Sequence, residues 1–334
     1  MKKVITAITT AATAFSALSA MPATAEVYGD FEFKVLLTEE DIGIEITKYI
    51  GDDSGLEAVA EVPEMIAGMP VISIGEDAFE YSNLKEIVLP DTIKYIKYGA
   101  FYYNITLRKI NLPASLEEIE GFAFAAASDL ETIEFPKSLK RIGSYAFQGS
   151  SIKDIVIPTG VEELAAGSFN HAAGTETLYI EDGLKKIGKE AFLTAAKLEW
   201  VYIPRSVEEI GEYAFGYFTY EYIRGNYDTV IYGHNGTAAQ KYAEENDFIF
   251  KNCSLGDMDF DSNINSLDAS AILSHYAAIS TNEESEFNRI HLEYADVDGD
   301  GVVNALDASY VLTYYAHTAT GGTGTFEEFM SEKA

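Results

Sequence analysis

Two twelve-residue stretches near the C-terminus place oxygen-bearing side chains at fixed intervals. The first sets Asp257, Asp259, Asp261, Asn263, Asn265 and Asp268 at loop positions 1, 3, 5, 7, 9 and 12. The second sets Asp296, Asp298, Asp300, Val302, Asn304 and Asp307 at the same positions. Valine has no side-chain oxygen, but position 7 can serve through its backbone carbonyl. Hard divalent cations, calcium above all, take an all-oxygen cage with this spacing. The two loops start 39 residues apart, and each runs into Asp-Ala-Ser and an apolar stretch.

The flanks must hold these loops. After the first, Ala269, Ile272, Leu273 and Tyr276 recur at i, i+3, i+4 and i+7; after the second, Ala308, Val311, Leu312 and Tyr315 do the same. This period predicts a helix behind each loop with one buried stripe. No helix is read in front of either loop, and position 12 is Asp where an EF-hand has a bidentate Glu. The segment from Leu255 to Thr318 resembles a type I dockerin. The resemblance implies a small all-α domain that holds two Ca2+ ions and docks to a cohesin domain of a cellulosome scaffoldin. Phe260 and Ser262 stand where glycine is common in such loops, whereas the second loop keeps Gly301. A side chain in a left-handed backbone conformation is strained, so the first site is expected to bind more weakly.

Helix faces left over after the core is assigned form the expected cohesin surface. In the first half these are Ser266, Leu267, Ala271, Ser274 and His275; in the second, Ala305, Leu306, Tyr310, Thr313 and Tyr314. Aromatic anchors usually carry more binding energy than small residues. The second half is therefore expected to dominate.

Upstream, the chain repeats. Ala-Phe, once Ser-Phe, recurs with Phe at 79, 101, 124, 147, 169, 192 and 215, so the period is 22 or 23 residues. Ile74, Ile96, Ile119, Ile142, Leu164, Ile187 and Ile210 keep one phase ahead of it, and a Leu-x-x-Ile-x-Leu-Pro strand pattern follows, with Pro90, Pro113, Pro136, Pro158 and Pro204 in one column. A unit this short cannot bury its own apolar face, so stacked units must share a core, which is a solenoid. The motif resembles the BspA-type leucine-rich repeats of bacterial surface and secreted proteins. That implies a β-rich solenoid of short strands joined by short helical or 3₁₀ turns. An entry turn at 66–71 and a C-terminal cap through Ala238, Tyr242, Ala243 and Phe248 complete it, since an open end would expose core.

Lys2 and Lys3, an apolar run to about Leu18 and Ala23-Thr24-Ala25 have the parts of a secretory signal peptide cut after Ala25. The chain then divides into a leader (1–25), the repeat domain with both caps (26–252), the dockerin-like module (253–318) and a tail without fixed structure (319–334). The formal charge is −31, and losing the two leader lysines takes it to −33. Such acidity argues against nucleic acid or anionic lipid as partner. One cysteine, Cys253, rules out an intrachain disulfide.

No nucleophile elbow, HExxH, phosphate loop or dinucleotide fingerprint occurs. The histidines at 171, 234, 275, 291 and 317 lack zinc spacing and read as surface or turn residues. No catalytic residue is assigned. Side chains alternate along a strand, so Tyr179, Trp200 and Tyr202 are expected to point away from the core, as a surface for a sugar or protein ligand. The expected protein is a secreted, non-catalytic cellulosome component whose repeat domain presents a protein- or carbohydrate-binding surface. Two other readings stay open: a polysaccharide-degrading enzyme with an unrecognised active site, and an adhesin displayed through the docking module.

Overall fold

The computed structural model describes residues 26–38, 41–218, 223–224 and 228–332. The expected leader lies outside the described residues. The chain forms two compact units. One runs to Leu198 and includes Glu209–Asn226; the other holds Glu199–Glu208 with Tyr227–Ala334.

In the first unit, Glu26–Tyr28, Phe31–Leu37 and Ile42–Tyr49 form an antiparallel ribbon, and Met69–Ile74 pairs parallel with its last strand. Six two-residue strands then add in parallel, one per turn: Tyr95–Ile96, Glu118–Ile119, Arg141–Ile142, Glu163–Leu164, Lys186–Ile187 and Glu209–Ile210. The register sets Ile74 beside Ile96, then Ile119, Ile142, Leu164, Ile187 and Ile210, so the phase-locked aliphatics form one column, buried as far as Ile187 and half-buried at Ile210. Asp154–Ile157 and Thr177–Ile180 pair in parallel on another side of the same coil.

The phenylalanines form the second column. From Phe79 to Phe215 each ring centroid lies 4.9–5.5 Å from the next, and the rings of Phe124, Phe147, Phe169 and Phe192 are parallel within 7°. Each Phe from 79 to 192 donates its N–H to the carbonyl of the alanine, or Ser168, one turn on. The arcs carrying them are hydrogen-bonded turns, such as Ala146 N–H to Gly143 O and Ser150 N–H to Phe147 O. Each arc reverses through left-handed residues. Gly99 and Gly167 fill that role two residues before Phe, but Phe122, Tyr145 and Tyr213 hold it elsewhere in the column.

The second unit opens with three parallel strands, Trp200–Tyr202, Val230–Gly233 and Ile249–Asn252. Helix α1 (Ala238–Glu245) closes them, burying Ala239, Tyr242 and Ala243. Four helices follow: α2 (Ser266–Ser280), α3 (Arg289–Ala295), α4 (Ala305–Ala319) and α5 (Phe326–Ser331). Helices α2 and α4 pack on one another. The docking module thus shares a compact unit with the strand Trp200–Tyr202 and the cap; no unit boundary falls at 252/253.

Three expectations fail here. A helix does precede the second loop: α3, seven residues long, buries Ile290, Tyr294 and Ala295. The tail is not without structure. Thr325 caps α5, and Phe326 is buried against Tyr314, with ring centroids 5.0 Å apart. The buried stripe is also narrower than the period suggests. Ala269, Ile272, Ala308 and Val311 are buried, whereas Leu273, Tyr276, Leu312 and Tyr315 are exposed, because the small α2–α4 contact covers only the nearest positions.

The Phe147 ring lies flat between Phe124 and Phe169, 5.0 and 5.1 Å away, and is fully buried. Phe147→Ala should destabilise the protein by about 3–5 kcal/mol, the usual cost of a large cavity in a packed core. Chemical denaturation followed by circular dichroism measures it.

Candidate metal centre and docking face

The two acidic loops fold alike. In the first, Asp257 accepts the N–H of Ser262 (2.9 Å) and of Asp261 (3.2 Å), and Asp261 accepts that of Asn263 (2.7 Å). In the second, Asp296 accepts Gly301 N–H (2.9 Å) and Asp300 N–H (3.1 Å), and Asp300 accepts Val302 N–H (2.8 Å). These bonds coil the chain tightly round a centre toward which carboxylates converge. Asp257, Asp259 and Asp261 offer oxygens all within 4.8 Å of one another, and so do Asp296, Asp298 and Asp307.

Positions 9 and 12 join each loop to its helix. Asn265 accepts Leu267 N–H (2.8 Å), and Asn304 accepts Leu306 N–H (2.7 Å), so both are helix N-caps. Asp268 accepts Met258 and Asn265 N–H groups (2.7 and 2.8 Å); Asp307 accepts those of Val297 and Asn304 (2.9 and 2.8 Å). Each position-12 carboxylate therefore ties the two ends of its loop together and completes a capping box. Asn265 donates to the carbonyl of Asn263 (3.2 Å), and Asn304 to that of Val302 (3.0 Å). The position-7 carbonyls of Asn263 and Val302 are thereby held by the position-9 side chains of their own loops.

Asp257, Asp268 and Asp307 are buried. Burial pushes the Asp257 carboxyl up to about 6, with the neighbouring carboxylates of Asp268 and Asp259 adding to it and backbone donors opposing. Burial likewise raises Asp268 and Asp307. Each cluster has one buried carboxylate, Asp257 or Asp307, among more exposed ones, an arrangement that a bound cation would stabilise. All donors are hard oxygens, and the sites fit Ca2+. Phe260 and Ser262 do adopt left-handed conformations, with φ of 57° and 69°; Gly299 and Gly301 hold these positions in the second loop. Cys253 is buried, and burial pushes its thiol up.

Of the residues expected to meet a cohesin, Ser266, Leu267, Ser274, Ala305, Leu306 and Thr313 are exposed, and Ala271, Tyr310 and Tyr314 are half-buried. His275 is not available: it is buried, hydrogen-bonded to Ser285 (2.7 Å) and stacked on Phe287 (4.8 Å). Tyr314 is engaged by the tail, its ring meeting Phe326 at a tilt and Phe329 edge-on, and its hydroxyl donating to Gly324 O (2.9 Å).

The expected ligand surface is not formed. Tyr179 and Tyr202 are 7% and 4% exposed, and Trp200 is half-buried. Alternation decides which way a side chain leaves a strand, not whether solvent waits there. For Tyr202 the covering group is Tyr294, its hydroxyl 2.8 Å away. His234 is buried beside both rings rather than at the surface. Exposed aromatics lie instead on the Phe-bearing arcs: Tyr81 (58% exposed), Tyr98 (47%) and Tyr103 (46%). The Phe-plus-two phase of Tyr81 and Tyr103 is legible in the sequence and marks them.

Comparison with known proteins agrees with this architecture. Residues 62–173 and 162–232 match the BspA type leucine rich repeat region, in six copies, and residues 255–314 match the dockerin type I domain. The repeat match spans more than half of the chain, which belongs to the BspA-type leucine-rich-repeat family and carries a dockerin, a cellulosome-type module that docks to cohesins. Similar solved structures include a leucine-rich repeat protein of T. pallidum, 24% identical, covering 68% of this chain and 98% of its own with a TM-score of 0.48. Another, from Bacteroides ovatus, is 22% identical and covers 65% and 56%, with a TM-score of 0.47. No curated protein matches the sequence.

The raised Asp257 gives a pH test. Its ordinary value is 3.8 and its folded value about 6. Between these the metal-free folded loop holds a proton that the unfolded chain has lost. Stability of the metal-free module should therefore fall as pH rises through this window. Calcium must displace that proton, so affinity at the first site should fall as pH drops below about 6. Calcium titrations at pH 7 and pH 5 read the difference.

Proposed function

We propose that this protein is a secreted, non-catalytic component of a cellulosome-type assembly. Calcium orders the two loops, α2 and α4 then present a cohesin-binding face, and the solenoid carries a second binding surface outward. The observation that carries this reading is the pair of matching loops, each capped into its helix with a leucine exposed as the second helical residue: Leu267 is 66% exposed and Leu306 47%. Single exposed leucines are ordinary, but two at equivalent positions on paired helices suit an anchor on each half of a docking face. The cohesin surface is Ser266, Leu267, Ala271 and Ser274 with Ala305, Leu306, Tyr310, Thr313 and the free edge of Tyr314. The leader-like motif in residues 1–25 supports secretion. Among the described residues no helix is long and apolar enough to cross a membrane.

For the solenoid we place the ligand surface at Tyr81, Tyr98 and Tyr103. Tyr81 and Tyr103 lie 5.2 Å apart, both in left-handed conformation, in the column where Gly149 sits without strain. Strained aromatics held at a surface support a binding role. The strongly acidic chain disfavours a polyanion, which leaves a neutral polysaccharide whose rings can lie on tyrosine.

A cohesin pull-down should retain the full chain with calcium and lose it with chelator, and Leu267→Ala with Leu306→Ala should weaken retention at least tenfold. Calcium-independent capture would overturn the docking mechanism. In gels containing neutral plant polysaccharide, Tyr81→Ala with Tyr103→Ala should abolish any retardation. Equal retardation of this variant and wild type would remove the ligand from these residues.

A further inference from the structure

The first calcium loop sets one of its own side chains, Phe260, against the strands of the solenoid cap. Phe260, at loop position 4, is buried in its left-handed conformation. Its ring meets Tyr232 edge-on (4.9 Å, 72°), with His291 on another side (5.0 Å). Lys251 holds its ammonium 5.5 Å from the ring centroid and donates to the carbonyl of Asp259 (3.3 Å), leaving the carboxylate oxygens to the loop. Tyr232 and Lys251 belong to the paired strands Val230–Gly233 and Ile249–Asn252.

A second set of contacts reaches the start of the loop. The Tyr294 hydroxyl sits 2.8 Å from that of Tyr202 and 3.1 Å from His234 Nε2, all three buried. The Tyr294 carbonyl accepts the N–H of Gly256, the residue before the first ligand, Asp257 (2.8 Å). Cys253 N–H donates to Gly233 O (2.6 Å), so chain entering the loop is pinned to the sheet.

The second loop is an internal control. Its position 4 is Gly299, and a Cβ there would meet nothing within 4 Å. It takes the left-handed conformation freely and needs no support. The first loop takes the same conformation with a phenylalanine, which resists it, and the strands of the cap lie where they hold that ring.

We propose that Tyr232 and Lys251 are positioning residues of the first calcium site, so that this site is completed by the solenoid cap. By clamping Phe260 they keep Asp257, Asp259 and Asp261 at metal-binding spacing. Linkage makes the effect reciprocal: calcium in the first loop fastens the docking module to the solenoid's final strands. This rests on the calcium reading above and adds that the two sites have different dependencies.

The test uses the full chain with the second loop silenced by Asp296→Asn and Asp300→Asn, titrated with calcium chloride in a calorimeter. Tyr232→Ala should weaken the remaining site about fivefold or more, within the usual range of coupling between sites. Phe260→Ala should weaken it similarly. Phe260→Gly removes the need for a clamp, so in that background Tyr232→Ala should have no effect. Circular dichroism melting checks that each variant keeps the solenoid. The proposal is overturned if Tyr232→Ala changes affinity less than twofold, or if it weakens binding equally in the Phe260→Gly background, since the loss would then be general damage to the cap. No calcium binding even before Tyr232 or Phe260 is altered would overturn the calcium reading itself, and the coupling with it.

Discussion

A coil of 22 or 23 residues has an apolar face and nothing of its own to put against it. Everything in the first unit follows from how successive coils answer that need: one phenylalanine per coil, each ring about 5 Å from the last. The spacing is that of neighbouring strands, so ring stacking and backbone pairing have the same rise and reinforce each other. The same requirement demands an end. In the second unit, the strand Ile249–Asn252 extends the sheet begun by Trp200–Tyr202 and Val230–Gly233, α1 closes it, and the metal-binding module follows directly.

The electrostatic demand of the second unit is of another kind. Asp257, Asp268 and Asp307 are buried carboxylates, and backbone N–H groups offset only part of their desolvation. Those N–H groups shape the loop, and a bound cation would offset more of that cost. The carboxylates that cost stability in the empty loop thus make binding favourable once the ion is in place. A small α2–α4 contact burying only Ala269, Ile272, Ala308 and Val311 suffices because the loops, not the core, set where the helices begin.

What could be read from the residues was periodic; what could not was covered by something distant. The Phe column, the aliphatic column and the loop spacings are repeats, and each maps to a physical repeat. The surface at Tyr179 and Tyr202 failed because alternation is a local rule, and Tyr202 is buried by a residue 92 positions later. Helix α3 was too short for its period to show, with only Ile290, Tyr294 and Ala295 buried. The tail helix did leave a signal. Phe326 stands 39 residues after Phe287, the same interval that separates the loops, and each ring covers the corresponding helix position, Tyr314 and His275. A search for the loop period beyond Thr318 would have found it. His275 was misplaced for the same reason, since its cover lies in the segment between the repeats.

The direct passage from Ile249–Asn252 into the first metal loop has a mechanical meaning. A module that tethers a protein to a large assembly is the point where tension enters. Here no flexible spacer absorbs it: Cys253 is already bonded to Gly233, and Gly256 to Tyr294. Ile249–Asn252 lies parallel to Val230–Gly233 over four residue pairs. A pull along that strand loads its bonds in shear, all at once, rather than opening them one after another. The anchorage of the tether is then as strong as the edge of the sheet it leaves.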